Sequence, residues 1–337
     1  MVRKLDRNIQ IGRRLRLRDL DLFSTVVQHG SMAKAALELG ISQPAVSEVI
    51  AGLEHSVGVR LLDRSPRGVV PTAYGQALLK RSLAAFDELR QGIRDIEFLS
   101  DPTSGELRIG CSVSLAATIL PTVVRRFSIQ CSGVVLHVDE VPPPSKEQPV
   151  LRSRQYDFIL SRLMEPLSDD PLGDDLNVEF LFDDPLVVAT GTQSRWTRRR
   201  KIDLEELIGE RWILTPADSW NHLRMAEAFR ARGLEMPKIS LLTRSVLLRA
   251  RLLADGGLVT AVAKSIADQY AMSVLPVDLP VRSWPVVVIT LKNRTLSPVV
   301  ERFLEHLRDL TRSMRNQGKS RREKVGPERV RMKTKSG

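Results

Sequence analysis

The sequence has very little cysteine. Only Cys111 and Cys131 occur among its 337 residues. A disulfide framework or a cysteine-based zinc site needs more cysteines at short spacings, so both are excluded. Two isolated cysteines are typical of a protein from a reducing compartment.

Long apolar runs are also missing. No stretch of about 18 apolar residues, the length that a membrane-spanning helix needs, interrupts the pattern of charges. The first twenty residues are charged throughout, unlike the apolar segment of a signal peptide. We therefore expect a cytoplasmic protein without a membrane partner.

The sequence lacks the patterns of common catalytic and metal sites. Its five histidines are scattered without metal-ligand spacing, and none lies beside a nucleophile motif. The segment ADGGLVTAV has two glycines but not the spacing of a phosphate-binding loop. We expect no metal, no cofactor and no enzymatic activity.

Positive charge is abundant, but it is concentrated at the two ends. The net charge is +11, and residues 1–18 hold seven Lys or Arg against one Asp, while residues 315–337 hold nine against two Glu. The rest of the chain is nearly neutral. We predict a basic disordered arm over 1–18 and a basic disordered tail over 315–337, either of which could follow phosphates.

Residues 19–57 show three short helical patterns. Leu20, Phe23 and Val26 recur at helical spacing before Gly30, a second pattern covers 32–39, and a third starts at Gln43 with a proline in its first turn. Ser31 and Ser42 are suitable N-caps, and Gly40 permits the sharp turn between the second and third helices. This spacing predicts a helix-turn-helix.

The start of the third helix carries side chains that can read DNA. In a helix-turn-helix this end enters the major groove. Gln43 and Ser47 lie one turn apart and can bind base edges or phosphates, and Ser42 and Pro44 flank them.

A hairpin wing is predicted directly after these helices. The segment VRLLDRSPRGVVPTAYG has a Pro-Arg-Gly turn between short apolar runs and presents Arg64 and Arg67. Arginines on a thin ribbon suit the minor groove or its phosphates. Thr72 is a predicted phosphate contact.

The stretch from Leu20 to Gly75, LDLFSTVVQHGSMAKAALELGISQPAVSEVIAGLEHSVGVRLLDRSPRGVVPTAYG, resembles the winged helix-turn-helix of the bacterial LysR-type transcriptional regulators. The resemblance extends in the expected order of parts to about residue 312. It implies a winged helix-turn-helix domain (19–75), a linker helix (76–100) and an effector-binding domain (104–314). Glu48 departs from the family, which often has a basic residue there.

The linker helix has a narrow apolar stripe. Its residues follow the three-and-four spacing of a coiled-coil seam, which needs a partner helix: Leu79, Leu83, Phe86, Leu89, Ile93 and Ile96. We predict a dimerisation helix, and hence a homodimer or a homotetramer that places recognition helices on two DNA half-sites.

From Leu107 the sequence alternates between apolar strands and helices, which predicts an α/β region with parallel strands. The resemblance implies a periplasmic-binding-protein-like pair of α/β subdomains. We place the crossovers near Leu163–Leu167 and Lys264–Ala271, so that subdomain I covers 104–164 and 270–314 and subdomain II covers 165–269.

An effector should bind between these subdomains, where helices begin after strand ends. Ser114 and Thr118 follow one such strand, and Ser219 and Trp220 follow another. The resemblance adds Ser145, although its segment VPPPSKEQP departs from the family pattern. The effector class stays open between a carboxylate, an aromatic acid and a sugar.

Other functions are possible alternatives for such a chain. A DNA-binding redox sensor would use Cys111 and Cys131, whereas a small buried hydrophobe is the commoner role of each. An extracytoplasmic solute-binding protein would need a signal peptide. The family resemblance favours a regulator whose partners are double-stranded DNA, a small-molecule effector, a second copy of the chain and RNA polymerase.

Overall fold

A computed structural model describes residues 15–65, 68–142, 151–163, 174–281 and 283–324, with the backbone alone for residues 284, 313 and 315–324. The chain divides into two compact units between Ile93 and Arg94, within the linker helix. The first unit contains an N-terminal head (residues 15–72).

The head is built from three helices, α1 (Leu17–His29), α2 (Met32–Leu39) and α3 (Gln43–Val57). Gly30 and Gly40 end the first two helices in the left-handed conformation, with φ of 60° and 63°. The serines that precede α2 and α3 accept hydrogen bonds from backbone N–H groups inside those helices. The predicted helix-turn-helix is confirmed.

A two-stranded antiparallel hairpin, β1 (Leu62–Ser65) and β2 (Gly68–Pro71), follows the helices and forms the wing. Gly68 has a φ of 125°, and a Cβ atom at this position would lie 2.6 Å from the carbonyl oxygen of Gly30. The N–H of Val69 donates to that same oxygen at 2.8 Å. Glycine at 68 therefore lets the wing pack against the end of α1.

The linker helix α4 covers Ala73–Ser100. It is continuous over 28 residues, and its first turns pack on the head through Leu78 and Leu79. The predicted linker helix is present and starts three residues earlier than expected.

Subdomain I contains a five-stranded sheet in the order β4, β3, β5, β12, β6. The strands are β3 (Ser104–Cys111), β4 (Gly133–Glu140), β5 (Phe158–Arg162), β6 (Leu176–Asp184) and β12 (Trp284–Leu291). β3 is parallel to β4 and β5, whereas β12 is antiparallel to β5 and β6. The helices of this subdomain are α5 (Val113–Thr118), α6 (Leu120–Gln130) and α10 (Pro298–Lys324). The rings of Phe127, Phe158 and Phe303 meet in its core.

Subdomain II contains a second five-stranded sheet in the order β11, β7, β10, β8, β9. The strands are β7 (Leu186–Thr190), β8 (Trp212–Leu214), β9 (Ile239–Leu242), β10 (Val259–Ala263) and β11 (Ser273–Val274). β8 is parallel to β9 and β10, whereas β7 is antiparallel to β10 and β11. Its helices are α7 (Trp220–Ala231), α8 (Val246–Leu253) and α9 (Lys264–Gln269).

The predicted crossover positions are wrong. β6 lies in the sheet of subdomain I, so the chain crosses at Pro185 rather than near Leu163–Leu167. β11 pairs with β7, and residues up to Val281 still pack on the core of subdomain II, so the return follows Val281 rather than Lys264–Ala271. Subdomain II therefore begins after residue 184 and not at 165. β7 and β12, the strands that follow the two crossovers, each run antiparallel to both of their neighbours. Both sheets are therefore mixed and not purely parallel.

The predicted ends of the chain also need correction. Helix α10 continues to Lys324, so the first ten residues of the predicted disordered tail (315–337) are helical. At the other end α1 already begins at Leu17, inside the predicted arm 1–18. Residues 1–14 and 325–337 lie outside the described residues.

Candidate DNA-binding and effector sites

The first turn of α3 is exposed while the rest of the helix is anchored. Val46, Ile50 and Leu53 are buried in the head core. The Oγ of Ser42 accepts the N–H of Ala45 at 3.3 Å, which caps the helix and fixes its start. The anchored helix therefore presents its N-terminal turn to the surroundings.

The predicted reading residues do not share one environment. Gln43 and Pro44 are exposed on this turn, and Glu48 is exposed on the next turn of α3. Ser47 is half-buried, and its hydroxyl lies 3.4 Å from the Sδ of Met32 on α2. Gln43 can thus reach outward, whereas the Ser47 hydroxyl faces the neighbouring helix.

The wing presents Arg64 on β1, where its side chain is exposed. Arg67 lies outside the described residues. The Thr72 hydroxyl donates to the carbonyl of Arg60 at 2.8 Å and accepts the N–H of Gly75 at 3.1 Å. Thr72 therefore caps the linker helix with the hydroxyl that was expected to contact phosphate.

A carboxylate that the sequence analysis missed joins the recognition helix to the wing. The Oε1 of Glu54, on α3, accepts the N–H groups of Leu61 at 2.7 Å and Leu62 at 3.2 Å. This fixes the start of β1 relative to α3. The sequence around Glu54 gives no signal for this role, because a glutamate on a helix is ordinarily a solvated side chain.

The apolar stripe of α4 is exposed along its second half. Leu89, Ile93 and Ile96 are 50%, 57% and 65% exposed, respectively. Leu83 and Phe86 are half-buried, whereas Leu79 packs on the head core. Apolar side chains at this spacing on one helix are typical of a surface that pairs with another helix.

Ser114 takes part in a buried polar network that connects the two subdomains. Its hydroxyl accepts a hydrogen bond from Nη1 of Arg162, at the end of β5, and Nη2 of Arg162 donates to Asp184, at the end of β6. Asp184 also accepts the N–H of Ser265 at 3.1 Å and its hydroxyl at 2.6 Å. Ser265 lies in α9 of subdomain II. The sequence predicted Ser114 but not the other three residues.

The remaining effector residues form contacts within their own subdomains. The Thr118 hydroxyl donates to the Ser114 carbonyl at 2.8 Å. Ser219 donates its hydroxyl to Oγ1 of Thr215, which directly follows β8. Trp220 packs against the core of subdomain II. Within the described part of the chain no hydrogen bond joins Ser114 or Thr118 to Ser219, and Ser145 lies outside that part.

Both cysteines are buried. Burial raises the pKa of the Cys111 thiol to about 12, although the nearby charge of Arg162 acts in the opposite direction. Cys111 therefore stays protonated and unreactive at neutral pH. Cys131 ends α6 and packs in the core of subdomain I. The redox-sensing alternative is not favoured.

Two further features concern metals and membranes. Within the described ranges no group of three His, Cys, Asp or Glu side chains is arranged to hold a metal ion. None of the described helices combines the length and apolar character needed to span a membrane.

Two family models match the chain and together follow the observed order of domains. The model of the bacterial regulatory helix-turn-helix protein, lysR family, matches residues 17–76. The model of the LysR substrate binding domain matches residues 100–312. These matches include the head, the start of the linker helix and both subdomains.

The relatives with similar sequences include HTH-type transcriptional regulators. The chain is 27% identical to the HTH-type transcriptional regulator GbpR of Azospirillum brasilense over 303 residues, which cover 88% of this chain and 86% of that protein. It is 26% identical to the HTH-type transcriptional activator CmpR of Synechocystis sp. over 309 residues, which cover 86% and 94%.

Solved structures share the fold. A crystal structure of CbnR, a LysR family transcriptional regulator, superposes with a TM-score of 0.55 and 21% identity over 88% of this chain and 99% of that one. Full-length OxyR from Pseudomonas aeruginosa gives a TM-score of 0.58 and 21% identity over 88% and 95%. The family models, the relatives and the order of domains agree: the chain belongs to the LysR family of bacterial transcriptional regulators, which bind DNA through the N-terminal domain and an effector through the C-terminal one.

Proposed function

We propose that this LysR-family regulator binds a specific operator as a homodimer, or as a tetramer of two dimers, and that a small molecule in the effector domain controls it. The observation that carries the DNA-binding part is the exposed first turn of α3, on a helix that Glu54 joins to the wing. Gln43 is available for base edges and Arg64 for the flanking backbone or minor groove. Arg67 extends the same wing in the sequence.

The hydroxyls of Ser42, Ser47 and Thr72 have a different role in this proposal. All three already form local contacts: Ser42 caps α3, Ser47 contacts Met32 on α2, and Thr72 caps the linker helix. Hydroxyl oxygens keep a further lone pair, so they can still accept or position a contact at the DNA. We infer that they orient the reading surface, whereas Gln43 and Arg64 supply the discrimination between sequences.

Dimerisation is assigned to the exposed stripe of α4. Leu89, Ile93 and Ile96 recur at the spacing of a coiled-coil seam, and pairing two such helices removes them from water. Leu83 and Phe86 extend the seam toward the head. A twofold pair of linker helices would place two α3 helices on successive half-sites of one DNA face.

The effector is assigned to the region between the subdomains, with Ser114 and Thr118 on one side and Ser219 and Trp220 on the other. Support comes from the network of Ser114, Arg162, Asp184 and Ser265, which joins the subdomains at that place. A ligand that contacts Ser114 must alter this network, which gives it a preference between two subdomain arrangements. We place the regulator in the cytoplasm, with RNA polymerase as its further partner.

The proposal is tested by selecting binding sites from a library of randomised duplex DNA with the full-length chain. We expect an enriched sequence made of two inverted half-sites, because a symmetric dimer reads a symmetric site. Failure to enrich any sequence above the starting library would contradict specific DNA binding. Enrichment of a single half-site without a repeat would retain the reading head but contradict the dimer.

A further inference from the structure

Three arginines are buried among the described residues, and they differ in their partners. Arg162 is paired with Asp184, and Arg294 donates to Asp157 at 2.9 Å and to the carbonyl of Tyr156 at 2.7 Å. The third, Arg249, is 3% exposed and forms no ion pair within the described part of the chain. It is therefore the exception among the buried cations.

Arg249 occupies a position where the pattern of its helix calls for an apolar side chain. It lies on the inner face of α8, between the buried Val246 and Leu253. Among the described residues its guanidinium donates one hydrogen bond, from Nη1 to the carbonyl oxygen of Ala261 at 3.4 Å, and its Nε is buried without a partner. Burial lowers the pKa of Arg249 to about 10, so the guanidinium is still charged at neutral pH.

A buried charge without a counter-ion is costly in a folded protein. Interiors accept ionised groups when these are paired and hydrogen-bonded, and a well-packed apolar residue is otherwise as stable or more stable. A single long bond to a carbonyl leaves most of the five guanidinium donors unused. The arrangement therefore favours a negatively charged group that arrives from outside the chain.

The strand register places Arg249 beside the predicted effector segment. Thr260 of β10 pairs with Ile213 of β8, so Ala261, whose carbonyl binds Arg249, is level with Leu214, the last residue of β8. The next residue, Thr215, accepts the hydroxyl of Ser219. The Nη1 of Arg249 thus lies level with the carboxyl end of β8, the end of a strand at which ligands of α/β sheets bind.

We propose that Arg249 is the anion-binding residue of the effector site, and that the effector carries a carboxylate or a phosphate. This inference rests on the proposed effector-regulated function and deepens it. Arg249 would supply the paired N–H donors for two oxygens of the anion, while Thr215 and Ser219 supply hydroxyls at the same strand end. Ser114 and Arg162 would contact the effector from subdomain I.

The test measures the melting temperature of the full-length chain by tryptophan fluorescence during titration with benzoate, succinate or inorganic phosphate, at ionic strength held constant with chloride. The variants are Arg249→Met and Arg249→Lys. Arg244→Met is the matched control, because Arg244 is an exposed arginine on the loop before α8 that is paired with Asp218. A basic chain responds to any anion without a site, so the readout is the saturable difference between the wild type and each variant.

We expect a saturable rise for at least one probe in the wild type and in Arg244→Met. Its half-saturating concentration should be about tenfold to a hundredfold higher in Arg249→Met, since a charge-assisted bond is lost, and intermediate in Arg249→Lys. A response to benzoate or succinate would identify the effector as an organic acid. A response to phosphate would identify it as a phosphorylated metabolite. The melting temperature of Arg249→Met without anion should equal or exceed that of the wild type.

Several results would overturn the inference. Equal responses in the wild type and Arg249→Met would do so, as would the absence of a saturable response to any probe. Unfolding of both Arg249 variants would also do so, because it would show that the arginine has a structural role. If an operator is still selected in those cases, the DNA-binding proposal stands and the anion inference alone fails.

Discussion

The head and the effector domain differ in what their interiors contain. Among the described residues 15–72, Thr25 is the one buried polar side chain, and its hydroxyl donates to the carbonyl of Asp21 within the same helix. The effector domain instead buries the carboxylates of Asp157 and Asp184 together with three arginines. The head therefore keeps its charge on the surface, whereas the effector domain has charge inside.

This difference separates two ways of building a functional site. An apolar interior holds the shape of the head, so side chains on its surface can change without loss of the fold. In the effector domain Arg162 and Asp184 form contacts that hold the fold and also lie in the network of Ser114, where a ligand is expected. Substitutions there should change stability and sensing together.

The largest effect is expected from Asp184→Ala. This change removes the carboxylate from Arg162 and leaves a buried cation without a partner, which should lower the free energy of unfolding of the effector domain by about 3–5 kcal/mol. Urea unfolding of the full chain, followed by tryptophan fluorescence, measures it, because all four tryptophans lie between residues 196 and 284.

Two controls separate the ion pair from other effects of this change. Asp184→Asn keeps an acceptor for Ser265 and should lose less stability. The double variant Asp184→Ala with Arg162→Met removes both charges and should recover part of the loss. A loss below about 1 kcal/mol in Asp184→Ala, the size of an exposed pair, would show that the interior of this domain does not depend on its charges.

A smaller effect is expected from Glu54→Ala in the head. Losing a carboxylate that accepts two backbone N–H groups should weaken the junction of α3 and the wing by about 1.5–3 kcal/mol. Hydrogen exchange measured by mass spectrometry should show faster exchange at Leu61 and Leu62. Glu54→Gln retains an acceptor oxygen and is the matched control. Exchange in Glu54→Ala that equals that of the wild type would exclude this role.

The fold of the head could be predicted from the sequence because its signals are local. The three helices of the head follow from local signals, since Ser31, Gly40 and Ser42 cap or turn the chain within a few residues of where they act. The wing was likewise visible from its turn residues. Such short-range chemistry is readable in one sequence.

The effector domain depends on contacts between distant residues, and its details were missed for that reason. β11 has two residues, too few for a pattern, and only the pairing of β6 with β12 shows that β6 belongs to subdomain I, so both predicted crossovers are wrong. Arg162 lies 48 residues from Ser114 and 22 from Asp184, and only the fold brings them together. Arg249 stands out because it occupies an apolar position of α8, a signal that becomes informative once its helix is seen to be buried on that face.

The most direct test of the account is the sequence preference of Gln43→Ala on the selected operator. The measurement is the ratio of affinities for the operator and for a scrambled duplex at one salt concentration, together with the melting temperature. Because Gln43 is exposed and the head core is apolar, we expect an unchanged melting temperature and a loss of discrimination of about 1–3 kcal/mol. An unchanged ratio at an unchanged melting temperature would contradict the placement of the reading surface on the first turn of α3.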